Sequence, residues 1–126
     1  MKVLQGIDLL KISRVEKVYS KFGDKFLLRI FSIKEIKQIK EKKKYWRKMA
    51  SKYSAKEAVS KAIGTGFSEG IRFKDIEILN LKNGRPVVVL HGIAKKKINN
   101  LLSSSVSISD EKDYSIAFTI IQKKWN

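Results

Sequence analysis

Residues 51–67 read SKYSAKEAVSKAIGTGF. Joined to the preceding WRKMA, they carry a helical pattern that stops at Gly64, a residue type suited to the left-handed turn after a helix. At 100° per residue, Trp46, Met49 and Ala50 fall within about 60° of Tyr53. Ala55, Ala58, Val59 and Ala62 lie on the opposite side. A helix that is apolar on two faces is a central one, covered from both directions. Glu57 shares the Tyr53 face. A carboxylate there needs a partner, because an unpaired buried charge is strongly destabilising.

Working outward, KVLQGIDLL suits a short first strand over roughly residues 2–8. A helix follows from Ser13, a plausible N-cap, with apolar residues at 15, 18, 19 and 22. Gly23 interrupts the pattern and KFLLRIF is a short apolar stretch. Ser32 and Glu35 have capping-box spacing at the head of SIKEIKQIK, where Ile33, Ile36 and Ile39 mark one face. After Gly64 the character changes. DIEILNL and RPVVVLHG read as strands joined by KNGR, whose Asn-Gly pair is a hairpin signal. IAKKKINNLL reads as a short amphipathic helix. SSSVSIS and YSIAFTIIQ are two further strands around DEKD. The order β-ααα-ββ-α-ββ, without regular alternation, predicts one α+β domain over residues 1–126, with the long helix packed on a mainly antiparallel sheet. A chain of 126 residues fits one core.

The charge is the loudest feature of the composition. Twenty-eight Lys and Arg face 12 Asp and Glu, for a net +16. Such an excess favours a polyanionic partner. Only 5 of the cations are arginine, the residue that nucleic-acid readers use for bidentate contacts. A basic nucleic-acid module remains an alternative, although the strands lack interleaved aromatic and basic residues. There is no cysteine, hence no disulfide and no thiolate metal site. No apolar run approaches membrane-spanning length, and a soluble cytoplasmic protein with no membrane partner is expected.

Two partners are open for Glu57. One is Lys61, a turn further on, in an ordinary helix ion pair. The other is a cation such as Mg²⁺, which takes hard oxygen ligands and often only one or two carboxylates. Asp8, expected at the end of the first strand in the apolar context GIDLL, is the candidate second ligand. Its alternative role is a turn or capping aspartate. Gly64, Thr65 and Gly66 offer backbone N–H groups and a hydroxyl to a phosphate, but they lack the spacing of a phosphate loop, and a helix C-cap with a turn is the favoured reading. Lys52, Lys56 and Lys61 add positive charge from the same helix.

As a set, GIDLLKISRV, SKYSAKEAVSKAIGTGF, NGRPVVVL and SISDEKDYSIAFTI resemble the holo-acyl-carrier-protein synthase family, the small trimeric 4'-phosphopantetheinyl transferases. The resemblance spans nearly the whole chain. It implies transfer of the phosphopantetheine arm of coenzyme A to a serine of apo-acyl carrier protein, in support of fatty acid biosynthesis. It also implies a homotrimer with active sites between subunits. Asp8 and Glu57 match the family's Mg²⁺ ligands, and Lys61 matches its lysine near the phosphates. The serine proton would pass to Glu57 or to a metal-bound water. Asn83, Gly84, Arg85 and Pro86 match the segment near the adenosine. Lys52 stands where the family commonly has an arginine near the 3'-phosphate. Arg14 matches a contact to the carrier protein, which is acidic and suits the +16 charge. There is one departure. Asp110 replaces the histidine of the family's SISH, and an aspartate repels phosphate at neutral pH. Weaker coenzyme A binding or a locally different pose is expected, and a non-catalytic relative that keeps the fold is a second alternative.

Overall fold

The computed structural model describes residues 1–125. The elements in order are β1 (Lys2–Lys11), α1 (Ile12–Phe22), α2 (Asp24–Ile30), α3 (Ile33–Lys40), α4 (Tyr45–Ile63), β2 (Ile76–Asn80), β3 (Pro86–Leu90), α5 (Gly92–Lys97), β4 (Leu101–Asp110) and β5 (Tyr114–Lys123). The α+β class holds. Four helices rather than three separate β1 from the hairpin, because KFLLRIF folds as α2 and buries Leu27 and Ile30. The strands form two antiparallel sheets rather than one, ordered β1–β5–β4 and β2–β3.

β1 runs three residues past the expected end. Its alternation continues through Leu9, which faces out, and Leu10, which faces in, and pairing with β5 extends to Lys11 opposite Tyr114. Asp8 therefore lies inside the strand, not at its end. Ser13 is not the N-cap of α1; the helix starts at Ile12, whose N–H donates to the Asp113 carbonyl at 2.9 Å. The Ser32–Glu35 capping box is present on α3, and Asn80 pairs with Pro86 around the Leu81–Arg85 turn. Ile33 points outward and is 74% exposed.

α4 is the central element. One flank packs Ala55, Ala58, Val59 and Ala62 against Ile76, Ile78, Ala117 and Ile121 of the strands. The other packs Met49 and Ala50 with Leu10, Val15, Leu27, Ile30 and Ile39. Gly6 permits the crossing of β1 over α4. A Cβ there would stand 1.8 Å from the Ala58 carbonyl oxygen and 2.8 Å from the Ala62 nitrogen. The opposite face of β1 and β5 carries exposed Val3, Ile7, Leu9, Ile116 and Ile120.

Candidate active site

Strand alternation turns Leu4, Gly6, Asp8 and Leu10 toward α4. Two features hold Asp8 there: the close crossing at Gly6, and a 3.2 Å hydrogen bond from Ser54 Oγ to the Asp8 carbonyl. Asp8 thereby meets the C-terminal half of α4. Lys61 Nζ lies 3.1 Å from Asp8 Oδ1 and donates also to the Ile7 carbonyl at 3.1 Å. The i+4 pair of Glu57 with Lys61 is not the contact that forms; the lysine reaches across to the strand.

Glu57 is half-buried beside this pair. Burial raises its pKa, the nearby Asp8 charge raises it further, and Lys61 opposes both. Two carboxylates from different elements thus share one pocket of charge with a single half-exposed lysine. Tyr53, one turn before Glu57, joins them. Burial and then Glu57 raise its phenol pKa, while Arg14 acts in the opposite direction. In the sequence only its place one turn before the odd carboxylate separates Tyr53 from its packing neighbours. Arg14 is exposed and lines a 90 Å³ crevice with Leu10, Val15, Val18, Phe26 and Tyr53. Beside it Val18, Phe22 and Phe26 line a 330 Å³ hollow rimmed by Lys25 and Arg29.

Other expected residues are placed differently. The Gly64 and Gly66 amides donate to the Ser60 carbonyl at 3.2 and 3.1 Å, and Thr65 Oγ1 donates to the Gly66 carbonyl. The Gly64 and Gly66 amides thus cap the helix. Lys52 and Lys56 do not add charge to the surface: they are 1% and 0% exposed and point toward α3 and β2. Lys52, expected beside a phosphate, has its Nζ enclosed by protein acceptors. Asn83, Gly84 and Arg85 form an exposed turn. Asp110 is tied down: Ser51 Oγ donates to it at 2.9 Å and Ser115 Oγ at 2.7 Å, linking α4 to the β4–β5 hairpin. Arg47 reinforces that link through the Glu111 and Lys112 carbonyls. The sole histidine, His91, lies away from this region and contacts Glu77 at 3.1 Å.

Among the described residues no cluster of three or more His, Asp or Glu side chains forms a ready-made metal cage, and no helix is long and apolar enough to cross a membrane. The Asp8–Glu57 pair is a two-carboxylate donor set of hard oxygens. That suits Mg²⁺, which keeps several waters and shares its shell with substrate phosphates.

Residues 5–119 match the model of the 4'-phosphopantetheinyl transferase superfamily. A holo-[acyl-carrier-protein] synthase of Pelagibacter ubique is 42% identical, over 98% of this chain and 100% of the relative. One from Solibacter usitatus is 37% identical, over 86% and 87%. Among solved structures, the Neisseria meningitidis synthase superposes with a TM-score of 0.86 at 30% identity, covering 95% of this chain and 98% of that one. The Helicobacter pylori synthase, solved in complex with coenzyme A, gives 0.84 at 33% identity, covering 94% and 100%. Matched in fold and along nearly its whole length, the chain belongs to the 4'-phosphopantetheinyl transferase superfamily, among its holo-[acyl-carrier-protein] synthases.

Proposed function

We propose that this enzyme transfers the 4'-phosphopantetheine arm of coenzyme A to a serine of an acidic apo-acyl carrier protein. The carrying observation is the convergence of Asp8 from β1 with Glu57 and Lys61 from α4, in a chain of this family. The serine oxygen forms a bond to the phosphorus that bears the pantetheine arm. The diphosphate P–O bond breaks, and adenosine 3',5'-bisphosphate leaves with the electron pair. Such a step is limited by positioning and by neutralisation of phosphate charge.

Asp8 and Glu57 would hold Mg²⁺, which when bound neutralises the diphosphate and polarises the phosphorus under attack. Lys61, half-exposed and already at the Asp8 carboxylate, supplies positive charge to the departing phosphate. Glu57 stands as acceptor for the serine proton. Gly64 and Thr65 border the phosphates, the Asn83–Pro86 segment with its exposed Asn83–Arg85 turn borders the adenosine, and Asp110 borders the phosphate end at the β4–β5 turn. Arg14 and the hollow of Val18, Phe22 and Phe26, with its Lys25 and Arg29 rim, form the carrier surface: basic at the edge, apolar within. The exposed apolar stripe on the outer face of β1 and β5 supports burial between copies of the chain, in the homotrimer that the resemblance implies. A cytoplasmic role in fatty acid biosynthesis completes the reading.

The test is intact mass of an apo carrier protein incubated with enzyme, coenzyme A and Mg²⁺. One added phosphopantetheine, abolished by chelator and restored by Mg²⁺, is expected. An unmodified carrier with well-folded enzyme at any coenzyme A concentration would identify a non-catalytic relative.

A further inference from the structure

We infer that Lys52 is a positioning residue for nucleotide binding: from inside the protein its ammonium sets the exposed Leu81–Arg85 turn through the side chain of Asn80. The nucleotide half of this inference rests on the proposed function; the relay itself rests on the geometry below.

Lys52 is 1% exposed, and its Nζ donates to three acceptors. These are the Ile78 carbonyl at 2.6 Å, Gln38 Oε1 at 2.8 Å and Asn80 Oδ1 at 3.0 Å. An ammonium only donates, so it fixes which end of the Asn80 amide faces inward. The carbonyl oxygen turns to the lysine and the NH₂ group turns to the surface. There Asn80 Nδ2 donates to the Gly84 carbonyl at 3.0 Å. Gln38 clamps the Asn80 backbone from the other side, receiving its N–H at 2.9 Å and donating to its carbonyl at 2.9 Å. Within the turn the Leu81 N–H donates to Arg85 at 2.9 Å and the Gly84 N–H to Leu81 at 2.8 Å. An apolar side chain at 52 would leave the orientation of the Asn80 amide unspecified. The relay ends on the wall of a 290 Å³ hollow that carries Lys42, Lys48 and Lys82.

The relay also titrates. Burial lowers the Lys52 pKa to about 8. Glu35 on α3 and Glu77 on β2 oppose that shift, and Lys48 and Lys56 on α4 add to it. A neutral amine has two N–H donors rather than three, and the bond to Asn80 is the longest of the set. As pH rises through about 8, the link to the turn is the first to be given up.

The experiment uses Asn80→Ala, which keeps the lysine's bonds to Ile78 and Gln38, alongside Lys52→Met and Lys52→Arg. Amide hydrogen exchange is followed in the free protein, and KM for coenzyme A and kcat are measured from pH 6.5 to 9.5. In Asn80→Ala the Leu81 and Gly84 amides should exchange about fivefold to tenfold faster. KM should rise by a similar factor with kcat within about twofold. The native KM should climb as pH passes through about 8, and Asn80→Ala should lack that limb. Lys52→Arg, which keeps a donor-only side chain, should lie closer to native than Lys52→Met does. Exchange in Asn80→Ala equal to native overturns the relay. Faster exchange with unchanged KM, a persisting alkaline limb, or a kcat that falls in step with the change in KM overturns the nucleotide role. A native chain that transfers nothing overturns the proposed function and the nucleotide role with it, while the exchange data still judge the relay, so the failures read out separately.

Discussion

One helix contains lysines with opposite fates. Toward β2, Lys52 and Lys56 are buried and all their hydrogen-bonding capacity is used inside the protein. Lys56 Nζ meets Glu35 at 2.8 Å and the Phe73 and Ile76 carbonyls at 2.9 and 2.7 Å. Glu35 in turn accepts from the Ser32 and Ile78 amides. Toward β1, Lys61 stays half-exposed and faces two carboxylates, of which it neutralises one. The first arrangement is closed, with every donor and acceptor matched. The second is open and carries surplus negative charge. Closure ties α3, α4 and β2 together; the open end is where the proposed cation would sit.

The largest effect that would break this contrast lies at the closed end. Lys56→Met strands the Glu35 carboxylate in the core and should lower unfolding free energy by about 3–5 kcal/mol. Lys61→Met, at a half-exposed pair, should shift it by no more than about 0.5 kcal/mol. Comparable losses in chemical denaturation would dissolve the distinction. Next comes Glu57→Gln. Transfer should fall by about a hundredfold or more, while Tm holds or rises because a repulsive neighbour of Asp8 is removed. A parallel loss of Tm would make Glu57 a structural residue instead.

The third concerns the lowered pKa of Lys52. Between pH 8 and the unfolded value near 10.4, the unfolded chain binds more protons, so stability rises with pH. The gain should be about 1–3 kcal/mol, and Lys52→Met should be flat across that window. A native profile as flat as the variant's would mean that the lysine is hydrated. The smallest effect is at Asp110. If Asp110 borders the phosphate as proposed, Asp110→His removes a negative charge there and should tighten the Kd for coenzyme A by about threefold to tenfold. It also severs the Ser51 and Ser115 bonds, which should lower stability by about 1 kcal/mol. Unchanged affinity would show that Asp110 acts solely as a tie between α4 and the hairpin.

The sequence made the framework of this molecule legible. The two-sided pattern of α4, the capping box and the Asn-Gly turn are local signals, and each appears where its spacing indicated. Asp8 and Glu57 stood out because carboxylates in apolar contexts demand an explanation. What stayed hidden depends on contacts between distant segments. Glu35 read as a capping residue, and nothing near it shows that the same carboxylate accepts Lys56 from 21 residues away. Lys52, Lys56 and Lys61 look alike in sequence. Only the packing of α3 and β2 against one side of α4 separates them. Asp110 carried a repulsive charge on paper, while its two serine partners come from other elements.

The crossing at Gly6 has a consequence for anyone redesigning this enzyme. The atoms a side chain would strike belong to the main chain of α4, so no choice of neighbouring residue makes room. The close approach of β1, which carries Asp8, to α4, which carries Glu57, depends on the absence of one methyl group at Gly6. Displacing reactive groups by about 1 Å can reduce a rate a hundredfold. In the proposed reading the carrier-facing side chains of α1 stand apart from this crossing, whereas Asp8 and Glu57 are inherited as a unit with no stepwise route around Gly6.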